Sequence, residues 1–228
     1  MDRGVIIACD FSSRGELEEF LWMFGGRSLF LKVGMELFYS EGPDLVRKLK
    51  ERGHSIFLDL KLHDIPNTVM RTMKVLSALR IDMCNVHGAG AVTMMRAARE
   101  GAGDSGIKLL AVTQLTSISE KQLRDELLID GGMEDTVLKY GINAWEAGLD
   151  GVVCSTWEAE GIHRTCGQDF ITVVPGIRLR EDLTDDHSRV ATPEEARKQG
   201  ADYIVVGRSI TKANDPVRAY ERCLKEFL

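Results

Sequence analysis

Residues 55–79 read SIFLDLKLHDIPNTVMRTMKVLSAL: a short apolar run that turns polar at its end, then a segment with helical spacing at 67–79. The run SIFLDL (55–60) is continuous in its apolar residues rather than alternating. That is the pattern of a parallel-sheet strand covered on its outer face and packed within. Seven more runs repeat it: VIIACD (5–10), LFLKVG (29–34), DMCNVH (82–87), KLLAVT (108–113), DGVVCS (150–155), FITVVPG (170–176) and DYIVVG (202–207). Helix-forming segments lie between them, among them 15–24, 43–52, 92–100 and 193–199. The βαβα order, at roughly 28 residues per unit, suits a compact (β/α)8 TIM barrel with few insertions. A doubly wound open sheet is the structural alternative. Gly53 and Gly200 each follow a helical stretch and lead into a strand, as helix C-caps do. The long stretch 116–147, broken at Gly131-Gly132, is expected to hold a loop and a short extra helix before the main one.

The chain has 228 residues, 44% hydrophobic and 28% charged, enough to bury about three quarters of its unfolded surface. No Pro-rich, Ser-rich or like-charge run divides it, so a single domain over 1–228 is expected. A net charge of −6 argues against a general nucleic-acid or membrane-surface role, either of which needs a basic face, while leaving room for a local basic pocket. No apolar run approaches a bilayer span, and MDRGVIIACDFSSR lacks the regions of a signal peptide, so a cytoplasmic protein is expected. Five dispersed cysteines without a CxxC pair read as reduced thiols, with Cys9, Cys84 and Cys154 inside apolar runs as small hydrophobes.

In a (β/α)8 barrel, working residues lie at the C-terminal ends of strands. Here those positions are polar: Asp10, Lys32, Asp59 and Lys61, His87, Thr113 and Thr116, Arg178 and Arg208. Strand alternation puts Asp59 and Lys61 on one face, pointing into the barrel mouth. A lysine held among carboxylates stays protonated and fixed, as a proton donor to a carbanion must be. A DxK pair is also a common structural ion pair; Lys32 on the neighbouring strand favours catalysis. Gly207-Arg208-Ser209 is a glycine turn opening a helix, suited to phosphate, and Arg178 and Arg208 could each clamp the anion; a plain strand-to-helix turn is the bland reading. His87 reads as a hydrogen-bonded barrel histidine, and no metal is assigned. His54, His63 and His163 fall in solvent-facing or loop contexts. Met70, Met73, Met94 and Met95 read as core or interface packing.

The run DLKLHDIPNT (59–68) resembles the DxKxxDIPxT signature of the orotidine 5'-monophosphate decarboxylase family. It is accompanied in order by IIACD, KVG (32–34), NVHGAG (85–90), VTQLTS (112–117), PGIR (175–178) and VVGRSI (205–210), so the resemblance covers essentially the whole chain. It implies a cofactor-free lyase of pyrimidine biosynthesis acting on a small nucleotide, with Lys61 as proton donor in an alternating network of Lys32, Asp59, Lys61 and Asp64. Asp64 would come from the second subunit of a homodimer, with Ile65 and Thr68 also reaching across. Asp10 and Lys32 would hold the ribose hydroxyls, Thr116 and Ser117 the pyrimidine edge, and Arg208 with the Gly207 amide the phosphate. The family usually has glutamine where His187 stands. An imidazole cannot reproduce an amide's donor and acceptor pair, which puts a direct contact from His187 in doubt. The surrounding charged segment 179–190 would close over the ligand.

The same barrel and DxKxxD motif also resemble the magnesium-dependent keto-gulonate phosphate decarboxylase and hexulose phosphate synthase branch. That branch is expected to carry an acidic ligand on the second strand, where Lys32 would repel a metal. A phosphate-ligand sensor without catalysis is the remaining alternative, and it leaves the charge network unexplained.

Overall fold

The computed structural model describes residues 3–182 and 190–228. Eight parallel strands close into a barrel in sequence order. They are β1 (Gly4–Cys9), β2 (Phe30–Gly34), β3 (Ser55–Leu62), β4 (Met83–His87), β5 (Lys108–Val112), β6 (Gly151–Val153), β7 (Ile171–Ile177) and β8 (Tyr203–Val206). The helices among the described residues are α1 (Arg14–Trp22), α2 (Met35–Glu41), α3 (Pro43–Glu51), α4 (Pro66–Ser77), α5 (Ala91–Ala102), α6 (Glu120–Asp125), α7 (Met133–Glu146), α8 (Ala159–Cys166), α9 (Pro193–Lys198), α10 (Arg208–Thr211) and α11 (Pro216–Phe227). The expected (β/α)8 barrel is therefore the fold, and the open-sheet alternative is not. The short extra helix anticipated in 116–147 is α6, closed by a capping box between Ser119 and Gln122. Gly53 and Gly200 follow α3 and α9 at φ 83° and 82°, a left-handed conformation that glycine enters without steric cost. No helix among the described residues is long and apolar enough to cross a membrane.

Two apolar layers explain the unbroken hydrophobic runs. Side chains such as Val5, Ile7, Leu31, Val33, Ile56 and Leu58 face outward and join the helices in one large cluster. Ile6, Ala8, Phe57, Met83, Leu110, Val173, Tyr203 and Val205 point inward and fill the barrel. The inward series then turns polar along three adjacent strands, from Phe30 to Lys32, from Phe57 to Asp59, and from Met83 to Asn85. This change of chemistry above a filled core fixes the level of the site. All five cysteines are buried and outside any disulfide, and burial pushes the thiols of Cys9, Cys84 and Cys223 up to about 12.

The opposite end of the barrel corrects two expectations, because His54 and His163 are buried rather than solvent-facing. His54 Nδ1 accepts the Leu29 N–H at 3.2 Å. His163 Nε2 lies 3.1 Å from Asp202 Oδ2, which also accepts the Thr172 N–H at 2.8 Å. Asp82 and Asp150 repeat that device: Asp82 Oδ2 accepts from Ile56 N–H and Lys50 Nζ, and Asp150 Oδ2 from Leu109 N–H and Arg99. In each case a carboxylate just before one strand accepts the N–H of the second residue of the preceding strand, and a helix-borne side chain, Lys50, Arg99 or His163, bonds the same oxygen. Glycine and loop residues near His54 and His163 suggested exposure, but the loops entering the strands close over the barrel floor.

Helices α4 and α5 approach so closely at Gly101 that a Cβ there would run into the Met70 carbonyl oxygen. Gly101→Ala is expected to cost about 1–3 kcal/mol, because a backbone carbonyl cannot swing away as a side chain would. Thermal melts should show a Tm lower by roughly 3–10 °C. A rise in Tm would mean that alanine's helix preference outweighs the crowding. Met73, Met94 and Met95 are core residues of this same region, as their helical positions suggest.

Candidate active site

At the C-terminal mouth, register and alternation bring four charged side chains together. Lys32 and Asp59 are nearly buried, each with 12% of the side chain exposed. Lys32 Nζ lies 3.0 Å from Asp10 Oδ1 and 3.3 Å from Asp59 Oδ2. The other Asp59 oxygen lies 2.6 Å from Lys61 Nζ. Asp59 thus bridges two ammonium groups. Burial alone would raise its pKa, but Lys32 and then Lys61 reverse that, and the carboxyl sits below its ordinary range. For Lys32, burial acts to lower the pKa, and Asp59 with Asp10 raise it above the usual lysine value. Both groups are therefore ionised at neutral pH.

Lys61 reaches this position by an unusual route. Its φ is 51°, in the left-handed region that residues with a Cβ seldom enter, and the pairing of β3 with β4 shifts register between Leu58 and Leu62. Strand alternation alone does not account for the Asp59 and Lys61 contact; a local kink does. Asn85, 1% exposed, holds that kink: its Oδ1 accepts the Lys61 N–H at 2.8 Å while its Nδ2 donates to Asp59 Oδ1 at 2.7 Å. Sequence reasoning quoted NVHGAG without giving Asn85 a part. The signal was there, since Asn85 is two residues beyond the inward Met83 on the same face of β4.

The remaining expected residues fall around this cluster. Asp64 is exposed, its Oδ1 accepts the Ile65 N–H at 2.6 Å, and no hydrogen bond or ion pair joins it to Lys61 among the described residues. Ile65 is 67% exposed at the start of α4, and Thr68 is exposed one residue after Asn67 on that helix. Thr116 and Ser117 are the two central residues of a turn closed by Ile118 N–H to the Leu115 carbonyl at 2.9 Å. Thr113 is buried, and its hydroxyl donates to the Val153 carbonyl at 2.9 Å, which removes it from the open site. Gly207 lies beside Asp10: a Cβ there would sit 3.9 Å from Asp10 Oδ2.

Arg178 and Arg208 share a cavity of about 830 Å³ that Lys212, Arg218 and Arg222 also line, together with Glu181, Asp182 and Asp215. Burial, and then the charge of Arg208, press the Arg178 guanidinium below its usual range, against the opposing charge of Asp182. Arg178 Nη1 donates to the Ile177 carbonyl at 2.9 Å. Of the segment 179–190, a short 3-10 turn at Arg180–Asp182 is described, whereas His187 lies outside the described residues.

An eight-stranded parallel barrel with a lysine and carboxylate network at the C-terminal ends of its strands defines the class: a (β/α)8 barrel whose site is electrostatic. Residues 3–223 match the family described as Orotidine 5'-phosphate decarboxylase / HUMPS family. The chain is 56% identical over 227 residues to orotidine 5'-phosphate decarboxylase of Listeria innocua, and 55% identical over 228 residues to that of Bacillus pumilus, with 97% of each chain covered in both comparisons. A crystal structure of orotidine 5'-phosphate decarboxylase from Lactobacillus acidophilus superposes with a TM-score of 0.89 at 45% identity, covering 99% of both chains. This chain belongs to the orotidine 5'-phosphate decarboxylase / HUMPS family.

Proposed function

We propose that this protein converts orotidine 5'-monophosphate to uridine 5'-monophosphate and CO2, as a step of pyrimidine biosynthesis. The observation that carries the reading is the Lys32, Asp59 and Lys61 network, with Asp59 bridging two ammonium groups at 3.3 and 2.6 Å in the mouth of a barrel of this family. In the reaction the bond from C6 to the carboxylate breaks, CO2 departs, and the electron pair stays on C6. Asp59 crowds the substrate carboxylate, Lys61 stabilises the charge growing on C6, and the Lys61 ammonium then delivers its proton there. Lys61 recovers a proton from solvent.

The surrounding residues take the roles their positions allow. Asp10 and Lys32, in contact at 3.0 Å, face the ribose hydroxyls. The Thr116 and Ser117 turn meets the pyrimidine edge, and Arg208 with the Gly207 amide takes the phosphate, with Arg178 the next candidate beside them. Phosphate binding far from C6 would let remote binding energy aid the chemistry. Asp64, Ile65 and Thr68, all exposed around the start of α4, act across a homodimer interface.

The deciding experiment follows the ultraviolet change as orotidine monophosphate is consumed, before and after exhaustive chelation. Full activity in both conditions is expected, because Lys32 places an ammonium between the two carboxylates where a divalent cation would have to sit. Activity lost on chelation and restored by magnesium would move the chain to the metal-dependent branch of the family. Nucleotide binding without turnover would leave a sensor.

A further inference from the structure

The Lys61 turn is strained, and the sheet does not secure it, since the register between β3 and β4 breaks around it. One anchor is Asn85, which takes the Lys61 N–H. A second lies two residues further along both strands. The imidazole of His63 stacks on that of His87, with ring centroids 5.4 Å apart and planes 16° from parallel. Asn85 and His87 stand on the same face of β4, so one strand face grips the turn on either side of Lys61's own chain position. Gly90 also approaches His63, where a Cβ would come within 3.3 Å of His63 Cδ2. We propose that the His63 and His87 stack is a positioning device that holds Lys61, and the Asp64 that follows it, in working geometry, and that it does so only while the His87 ring is neutral.

The hydrogen bonding of His87 makes the device sensitive to acid. Its Nδ1 accepts the Ala89 N–H at 3.2 Å, so the ring is neutral with its proton on Nε2. Protonation would remove that acceptor and set a positive charge against His63 in the stack and against the ammonium of Lys61 from β3. From α7, Tyr140 packs beside Gly88, and burial raises its phenol, which stays uncharged. From α5, the neighbour is the apolar Met94. Burial, then His63, then Lys61 push His87 below the ordinary imidazole value. The sign follows: the folded protein resists protonating His87, so the stack is intact at neutral pH and is lost as pH falls beneath the ordinary imidazole value of about 6.5.

This inference rests on the decarboxylase reading, and its test separates the two. Wild type, His63→Ala and His63→Phe are compared for kcat and KM from pH 5 to 9, with melting curves alongside. The imidazole resonances of His87 are titrated by NMR in substrate-free protein. His63→Ala is expected to lower kcat by roughly 10- to 100-fold with KM little changed, because a small misplacement of the proton donor costs that much. His63→Phe should recover most of the loss, since a flat ring still stacks, and should move both the acid limb of kcat and the His87 titration to higher pH, because His63 is one of the groups that hold the His87 value down. His63 is exposed, so both variants are expected to fold with near-wild-type Tm. Wild-type kcat and an unmoved acid limb in His63→Ala, or equal losses in the alanine and phenylalanine variants, would overturn the proposal. If wild type itself fails to decarboxylate, the functional reading falls, and a His87 titration unmoved by His63→Phe then overturns the stack independently.

Discussion

Lys61→Ala is expected to reduce kcat for orotidine monophosphate by roughly 10⁴-fold, combining the loss of a proton donor with the loss of a charge aimed at C6. The fold should tolerate the change. Asp59 keeps Lys32 at 3.3 Å and Asn85 at 2.7 Å, so the buried carboxylate is not left alone. Product nucleotide should bind nearly as before, because the proposed phosphate and ribose contacts come from other strands. Steady-state kinetics with titration calorimetry of the product nucleotide check both halves, and the loss should appear in kcat. More than a few percent of residual turnover would mean that Lys61 is not the proton donor.

The second large effect is a recovery. Asp64 is exposed and has no hydrogen bond or ion pair with its own Asp59 or Lys61 among the described residues, and its neighbour Ile65 leaves an apolar side chain 67% exposed, as a residue destined for an interface would. In the proposed two-fold dimer each site takes Asp64 from the opposite chain. Homodimers of Lys61→Ala and of Asp64→Ala should then both be severely impaired. Equal amounts allowed to exchange at random give half mixed dimers, each with one whole site and one lacking both residues, so roughly a quarter of all sites should regain activity. Subunit exchange is followed by mass spectrometry. Confirmed exchange with no returning activity would show that Asp64 works within its own chain or not at all.

Much of this molecule is fixed by local chemistry along the chain. Eight continuous apolar runs separated by helical spacing specify parallel strands buried on both faces; the compact (β/α)8 barrel suits them at this length, and closure of the sheet removes the doubly wound alternative. The polar residues at the ends of those runs mark the mouth, since a side chain such as Lys32 or Asp59 two positions past an inward aromatic must share its direction. Gly53 and Gly200 sit where only a left-handed helix end asks for glycine.

Other features depend on neighbours distant in sequence. The kink at Lys61 breaks strand periodicity, and it persists because Asn85 and His87, more than twenty residues away, bond and stack against it. His54 and His163 look like loop residues until the barrel closes and buries them against Leu29, Thr172 and Asp202. A single sequence reports periodicity and residue type, which are local properties, so it determined the eight buried parallel strands and the level of the charged site. Which atoms meet there, and which carboxylate or imidazole is left without an exposed face, is set by closure of the sheet, a long-range event decided by the tertiary structure alone.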